Sequence, residues 1–452
     1  MRAILLIAKI VLAPLLVLSV WWGIAHYAKP PFFKPQTSQS LLRAKTWTLK
    51  SGMQVYWLPA TTPHMVDITV AFDAGSRYDG ALFGLASLTN RLFLEGTTTL
   101  NATQFSEAMA SLGAKTGAQM DREMAMLHLR TLSQEPYRLK AIDLFVDMLS
   151  HPGFRAEDLA RLQNQRLVQL TEDNQRPARL AENAFYNAVF NHTSYAHSPQ
   201  GTPESVRVIT PNHVLNFYQQ FYTPEHMTIA FVGDITEAEA QKTAEQLANQ
   251  LPVSLRELPP LLAFTAAPPE HQNITYPSEQ THIWLGGLSL DRSDPDYIAL
   301  SLGQYIMASS GMNSLLFEAV RNEKGLAYSV SGTLTPLTSH SLFTIFAQTR
   351  TTEAQETLST ITQELEQFLK EGPTETQLSL AKESLMGSMP LWFIDNRTIA
   401  DTLAYLGFYH LPLDYYDTEM VRLNATSAKE VQTAWQKHIH PNQFTIITVG
   451  QP

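Results

Sequence analysis

The chain has 452 residues, too many for one ordinary domain, so two to four units are expected at roughly 100–200 residues each. Its composition, 44% hydrophobic, 16% charged and 10% aromatic, supplies sizeable cores and argues against disorder, collagen and coiled coil. Lys+Arg 32 against Asp+Glu 42 leaves a net charge of −10, which argues against nucleic acid as a main partner. The lack of cysteine excludes disulfides, thiolate metal sites and a cysteine nucleophile.

In chain order, Ile4–Ala28 reads as an N-terminal transmembrane helix, near the length of a bilayer core, with Lys9 as its main interruption. Arg2 and Lys9 keep the N-terminus cytoplasmic. Trp21, Trp22 and Tyr27 fall near the far interface. This places the bulk of the chain outside the cytoplasm, in the cell envelope, anchored to the membrane through residues 1–28. If the segment is instead a cleaved signal peptide, the chain is released to the periplasm. Residues 29–45, with their three prolines, read as a tether.

Residues 64–72, 127–132, 281–287 and 342–347 are short β-branched or aromatic runs and predict strands. Residues 156–171, 179–189, 237–250 and 352–370 predict helices. The strongest organisational signal is a duplication. FYTPEHMTIAFVG (221–233) resembles HIHPNQFTIITVG (438–450), and each follows a helix opened at Thr210 or Thr426. Phe105 lines up with Phe317, and Gly113 with Gly325. Offsets of about 212 to 217 residues are too long for a solenoid and suit two fused copies of one domain. Six prolines between Pro252 and Pro277 mark a linker over 251–277. The expected fold is α+β. Two duplicated α/β-sandwich halves (46–250 and 278–452), each an antiparallel-rich sheet with helices packed on it, are joined by that proline-rich linker.

GLASLTNRLFLEGT (84–97) resembles the signature G-L-A-H-x-x-E-H-x-x-F-x-G-T of the pitrilysin/insulinase family of inverted-motif zinc peptidases. The likeness continues through SYA (194–196), GTPES (201–205) and LFEAVRNEKGLAYSV (316–330), and ends with LPLDY (411–415) and the last strand. In H-x-x-E-H, two histidines four apart on one helical face bind Zn²⁺, and the glutamate activates the metal-bound water. Here those positions are Ser87, Asn90 and Arg91. A hydroxyl and an amide are poor zinc ligands, and Arg91 puts a cation where a cation should bind. The window matching the family's third ligand, RLVQL (166–170), has no carboxylate, although Glu172, Asp173 and Glu182 are near. No metal is therefore expected in this chain. The scattered histidines, among them His192, His197, His226, His271, His438 and His440, form no ligand set, and G-x-S-x-G is absent.

What the resemblance leaves intact is the family's arginine and tyrosine, at Arg321 and Tyr328. It implies that Arg321 holds substrate carbonyls or a carboxylate and that Tyr328 donates to the developing oxyanion. In two-chain members, of the bacterial or mitochondrial-processing type, one subunit carries the zinc motif and the other the Arg/Tyr pair. This chain resembles the second kind. Its expected function is that of the non-zinc subunit of a heterodimer, supplying Arg321 and Tyr328 in trans to cut extended peptides in an enclosed chamber. A homologous subunit with H-x-x-E-H and its zinc would be the partner. The alternative is a catalytically inactive scaffold or peptide-binding subunit.

Overall fold

The computed structural model describes residues 42–191, 193–253, 258–259, 267–309 and 314–451. The first sheet has six strands: β1 (Lys45–Thr48), β2 (Gln54–Pro59), β3 (Met65–Phe72), β4 (Lys115–Met120), β5 (Ala125–Leu132) and β6 (Met227–Gly233), in the order β1-β2-β6-β3-β5-β4. The second has five: β7 (His271–Thr275), β8 (Gln280–Leu288), β9 (Ala327–Pro336), β10 (Ser341–Arg350) and β11 (Thr445–Gly450), in the order β7-β11-β8-β10-β9. Leaving out β1, the two orders are the same, and so are the polarities. β2 runs parallel to β6 as β7 does to β11, and every other pair is antiparallel. The repeat seen in the sequence is thus a repeat of topology.

The strand and helix positions read from the sequence fall within a few residues of the observed ones. The helix predicted at 237–250 is Glu237–Gln250. The two repeat motifs follow capped helices, as their openings suggested. The first cap is Thr210, whose hydroxyl accepts from the His213 amide. In the second copy the cap is Ser427, not Thr426, and it accepts from the Glu430 amide. Strand β7 lies inside the stretch read as linker. The expected fold needs one larger correction: among the described residues no helix is long and apolar enough to cross a membrane. The Ile4–Ala28 segment read as a span, and the tether after it up to residue 41, lie outside the described residues.

Four helices position everything that follows: α1 (Leu85–Leu92), α2 (Ala156–Asp173), α3 (Pro177–Phe190) and α4 (Asn396–Phe408). α3 and α4 are exchanged between the repeats. α3, from the first, presents Ala181, Phe185 and Val189 to Leu342, Ile447 and Val449 of the second sheet. α4, from the second, lays Ala400, Leu403 and Ala404 on Tyr56, Ala71, Ala230 and Val232 of the first sheet. Each of these clusters is apolar and buried, which stabilises by about 1.5–3 kcal/mol per large side chain. Gly407 permits the crossing, because a Cβ there would lie 2.4 Å from Thr228 and 2.7 Å from the Tyr56 ring.

Polar contacts fix the seat of α4. Asp401 accepts from Thr69 at 2.7 Å, lies 3.2 Å from Nδ1 of the buried His128, and takes the Arg397 Nε at 2.9 Å. Burial pushes this carboxyl up, but bonds from His128 and Thr69, with the charge of Arg397, hold it below its ordinary value. A depressed folded value means stability that is present above the unfolded value, about 3.9, and is lost as pH falls through the folded one. Asp401→Asn is therefore expected to lower the urea midpoint at pH 6, with the difference closing as pH falls below the unfolded value and through the lower folded one. A difference that stays constant with pH would show that the charge of Asp401 contributes nothing.

Candidate functional site

α1 carries the altered metal motif. Gly84, at φ 95°, turns the chain into the helix. Asp79, fully buried, caps the start by accepting from the Gly84 amide at 2.8 Å and the Ala86 amide at 2.7 Å. His197 completes that carboxylate's partners at 3.0 Å and stacks on Phe83. Burial nonetheless raises the Asp79 value, against the pull of His197 and the two amides. Leu85, Ala86, Leu88 and Leu92 face the first core.

The three motif positions have separate fates. Asn90 is a strut: its amide donates to the Gln119 carbonyl of β4 at 2.8 Å, and its oxygen accepts from the buried Tyr222 hydroxyl at 3.4 Å. Ser87 is buried, and its hydroxyl accepts from Arg166 Nη1 at 3.0 Å. Arg91 is exposed. The sequence pointed to Arg91 as the cation in the metal's seat. In the structure the guanidinium bonded to the first ligand position belongs to Arg166, on α2, with Arg91 close enough to repel it. Arg166 also donates to the Gln200 carbonyl at 3.2 Å. Burial, and then Arg91, pull its value down. Nothing here suits Zn²⁺. The hydroxyl and the amide are already used in protein hydrogen bonds, and the pocket's charge is positive. The carboxylates expected nearby are turned elsewhere: Glu182 pairs with Arg179 at 2.6 Å, Asp173 lies 3.7 Å from Arg176, and Glu172 is exposed. Arg166 was readable as the first residue of a window without a carboxylate, but nothing in the spacing told that it reaches Ser87.

Arg321 and Tyr328 do come together. Arg321 lies in a π-helix, Phe317–Glu323, a form often found at functional sites. Gly325, at φ 62°, then turns the chain so that β9 starts at Ala327. The guanidinium sits 4.7 Å from the Phe317 ring centre and 5.6 Å from that of Tyr328. Tyr328 is 76% exposed. Neither side chain has a hydrogen bond or ion pair to Ser87, Asn90 or Arg91 among the described residues.

One cluster has no signature in the spacing of the sequence: Asp294, Asp296 and His438 are close enough to share an ion. Asp296 already takes the Lys437 ammonium at 2.7 Å and His438 at 2.9 Å, which hold its value low. This cluster is a partly exposed ion pair and lies in neither motif. His192 lies outside the described residues.

Two equivalent sheets with an exchanged helix each, and a metal motif that carries serine, asparagine and arginine at its three positions, define a peptidase-like chain with an altered zinc motif. Comparison with known proteins agrees. The profile "Insulinase (Peptidase family M16)" matches residues 56–202, and "Peptidase M16 inactive domain" matches 209–385. The crystal structure of a peptidase M16 inactive domain from Pseudomonas fluorescens is 32% identical, with a TM-score of 0.87, covering 91% of this chain and 98% of that one. A protease from Helicobacter pylori shares the fold at a TM-score of 0.82 and 17% identity, covering 91% of this chain and 99% of that one. Among sequence relatives, a protein named "Non-peptidase homolog YmxG" in Helicobacter pylori is 24% identical over 83% of this chain and 86% of its own length. An "Uncharacterized zinc protease" of Rickettsia bellii is 24% identical over 89% of this chain and 96% of its own length. The chain belongs to the insulinase family, peptidase family M16, and is inactive as a peptidase by itself.

Proposed function

We propose that this chain is the non-zinc subunit of a two-chain insulinase-type peptidase. A homologous partner bears H-x-x-E-H and its zinc, and Arg321 and Tyr328 act in trans on an extended peptide between the two. The observation that carries this reading is the 76% exposure of Tyr328 beside Arg321, with neither side chain in a hydrogen bond or ion pair among the described residues. A large aromatic on an edge strand is normally covered, and a forked cation normally finds a carboxylate. Both are left free to meet something else. Tyr328 would donate its phenolic hydrogen where negative charge grows on the scissile carbonyl oxygen, and Arg321 would orient the peptide by forked hydrogen bonds. β4, paired on one side only among the described residues, offers the peptide an edge for backbone hydrogen bonds.

The test is reconstitution with the zinc-bearing homologue. Tyr328→Phe is expected to lower kcat about a hundredfold, leaving KM and complex formation nearly unchanged, since one transition-state donor is lost. Normal turnover by the mutant complex would sink the trans reading. The second reading, a scaffold or peptide-binding subunit, draws support from the name of the non-peptidase homologue. It predicts that Arg321→Ala with Tyr328→Ala leaves turnover unchanged while removal of the whole subunit does not.

A further inference from the structure

The altered metal pocket is more than a lost site. Ser87 and Arg91 are one helical turn apart on α1 and so share a face. Arg166 meets that face from α2 through the Ser87 hydroxyl. Its Nη1 is committed to Ser87 and Gln200, while its Nε and Nη2 have no acceptor among the described residues. Neither Arg91 nor Arg166 has a carboxylate within ion-pair distance among those residues. The carboxylates whose charge reaches Arg166 are Asp173, on the same helix, and then Asp79; Asp173 lies 3.7 Å from Arg176, and Asp79 is consumed by two backbone amides and His197. Two like charges on facing helices, one of them half-buried, repel each other and cost desolvation energy. Asn90 ties α1 to β4, the end strand of its sheet, so the helix that carries Ser87 and Arg91 is packed beside the strand along which an extended peptide would lie.

We propose that the seat of the family's metal ion in this chain is an anion site, in which Arg166 and Arg91 bind a carboxylate of a peptide lying along β4. The guanidinium fork of Arg166 matches a carboxylate, and Ser87 holds that fork in place. A carboxylate there offsets one of the two positive charges and so relieves the repulsion between the arginines, where a divalent cation would add to it. The site is separate from Arg321 and Tyr328 and needs no partner subunit, so its failure and that of the trans reading are distinguishable.

The experiment is fluorescence anisotropy with the purified full chain and three labelled hexapeptides at low salt. One ends in a free carboxylate and has no acidic side chain, one is its amide, and one is amidated with a single internal glutamate. Binding of the free acid but not the amide assigns the terminal carboxylate; binding of the glutamate peptide assigns a side-chain carboxylate. Either result supports the proposal. Arg166→Gln and Arg91→Gln are each expected to weaken binding by about tenfold to a hundredfold, whereas Arg350→Gln, on the second repeat, leaves it unchanged. Should Arg166→Gln fail to fold, the exposed Arg91→Gln alone decides. Equal binding of all three peptides, binding of none, or equal losses for Arg91→Gln and Arg350→Gln would overturn the proposal.

Discussion

Glu123→Ala is expected to destabilise the protein by about 3–5 kcal/mol, the cost of removing one partner from a buried ion pair. Glu123 sits in the turn between β4 and β5, with its side chain 2% exposed. One carboxylate oxygen lies 3.3 Å from Arg77 and accepts from the Tyr195 hydroxyl and, at 2.8 Å, from the Thr338 amide. The other accepts from the Tyr409 hydroxyl at 2.5 Å. Thr338 lies in the turn between β9 and β10, the equivalent turn of the second repeat, and Tyr409 follows α4. The carboxylate therefore joins both repeats. Asp73 still holds Arg77 at 2.5 Å after the substitution, which limits the loss on the cation. Three donors lose their acceptor, however, at about 1–3 kcal/mol for each one left unsatisfied in the interior. Denaturant titration of Glu123→Ala and Glu123→Gln decides the point. The amide keeps an acceptor oxygen and should lose less. A change below about 1 kcal/mol for alanine would mean that water replaces the carboxylate.

This hub marks the limit of what the sequence disclosed. The repeat was legible because Pro224 and Pro441, and Gly233 and Gly450, recur in register around two apolar strands. The long helices were legible as segments, within a few residues of their observed bounds. Periodicity says which face of a helix is apolar, not which sheet that face meets. Nothing in AENAFYNAVF (181–190) announces that Phe185 packs on Trp284 rather than on its own sheet. The same holds at the site. Ser87, Asn90 and Arg91 were legible as a broken metal motif, since the family's chemistry requires particular residue types at those positions. That Asn90 is a strut to β4, and that Arg166 rather than Arg91 meets Ser87, depends on contacts across 29 and 79 residues. Glu123 could not be singled out at all. A single glutamate in a turn reads as a solvated surface residue until the opposite repeat closes over it.

The exchange of α3 and α4 carries the other large expectation. Phe185→Ala should cost about 3–5 kcal/mol, as for other fully buried phenylalanines cut to alanine. The loss should fall on the whole molecule at once. Phe185 belongs by sequence to the first repeat, but its ring is 5.5 Å from Trp284 on β8, in a cluster with Leu342, Ile447 and Val449 of the second sheet. If the second sheet opens there, β7 to β11 lose one apolar cover. α4, anchored in the second repeat, then also loses its hold on Tyr56 and Ala230 of the first sheet. Two repeats that each bury the other's helix cannot unfold independently without exposing two apolar faces, so a single cooperative transition is expected for the described fold. Equilibrium unfolding followed both by tryptophan fluorescence and by far-ultraviolet circular dichroism should give coincident curves, shifted together by Phe185→Ala. Two separated transitions, with the substitution moving only one, would mean that each sheet keeps its own core and that the exchange merely decorates the surface.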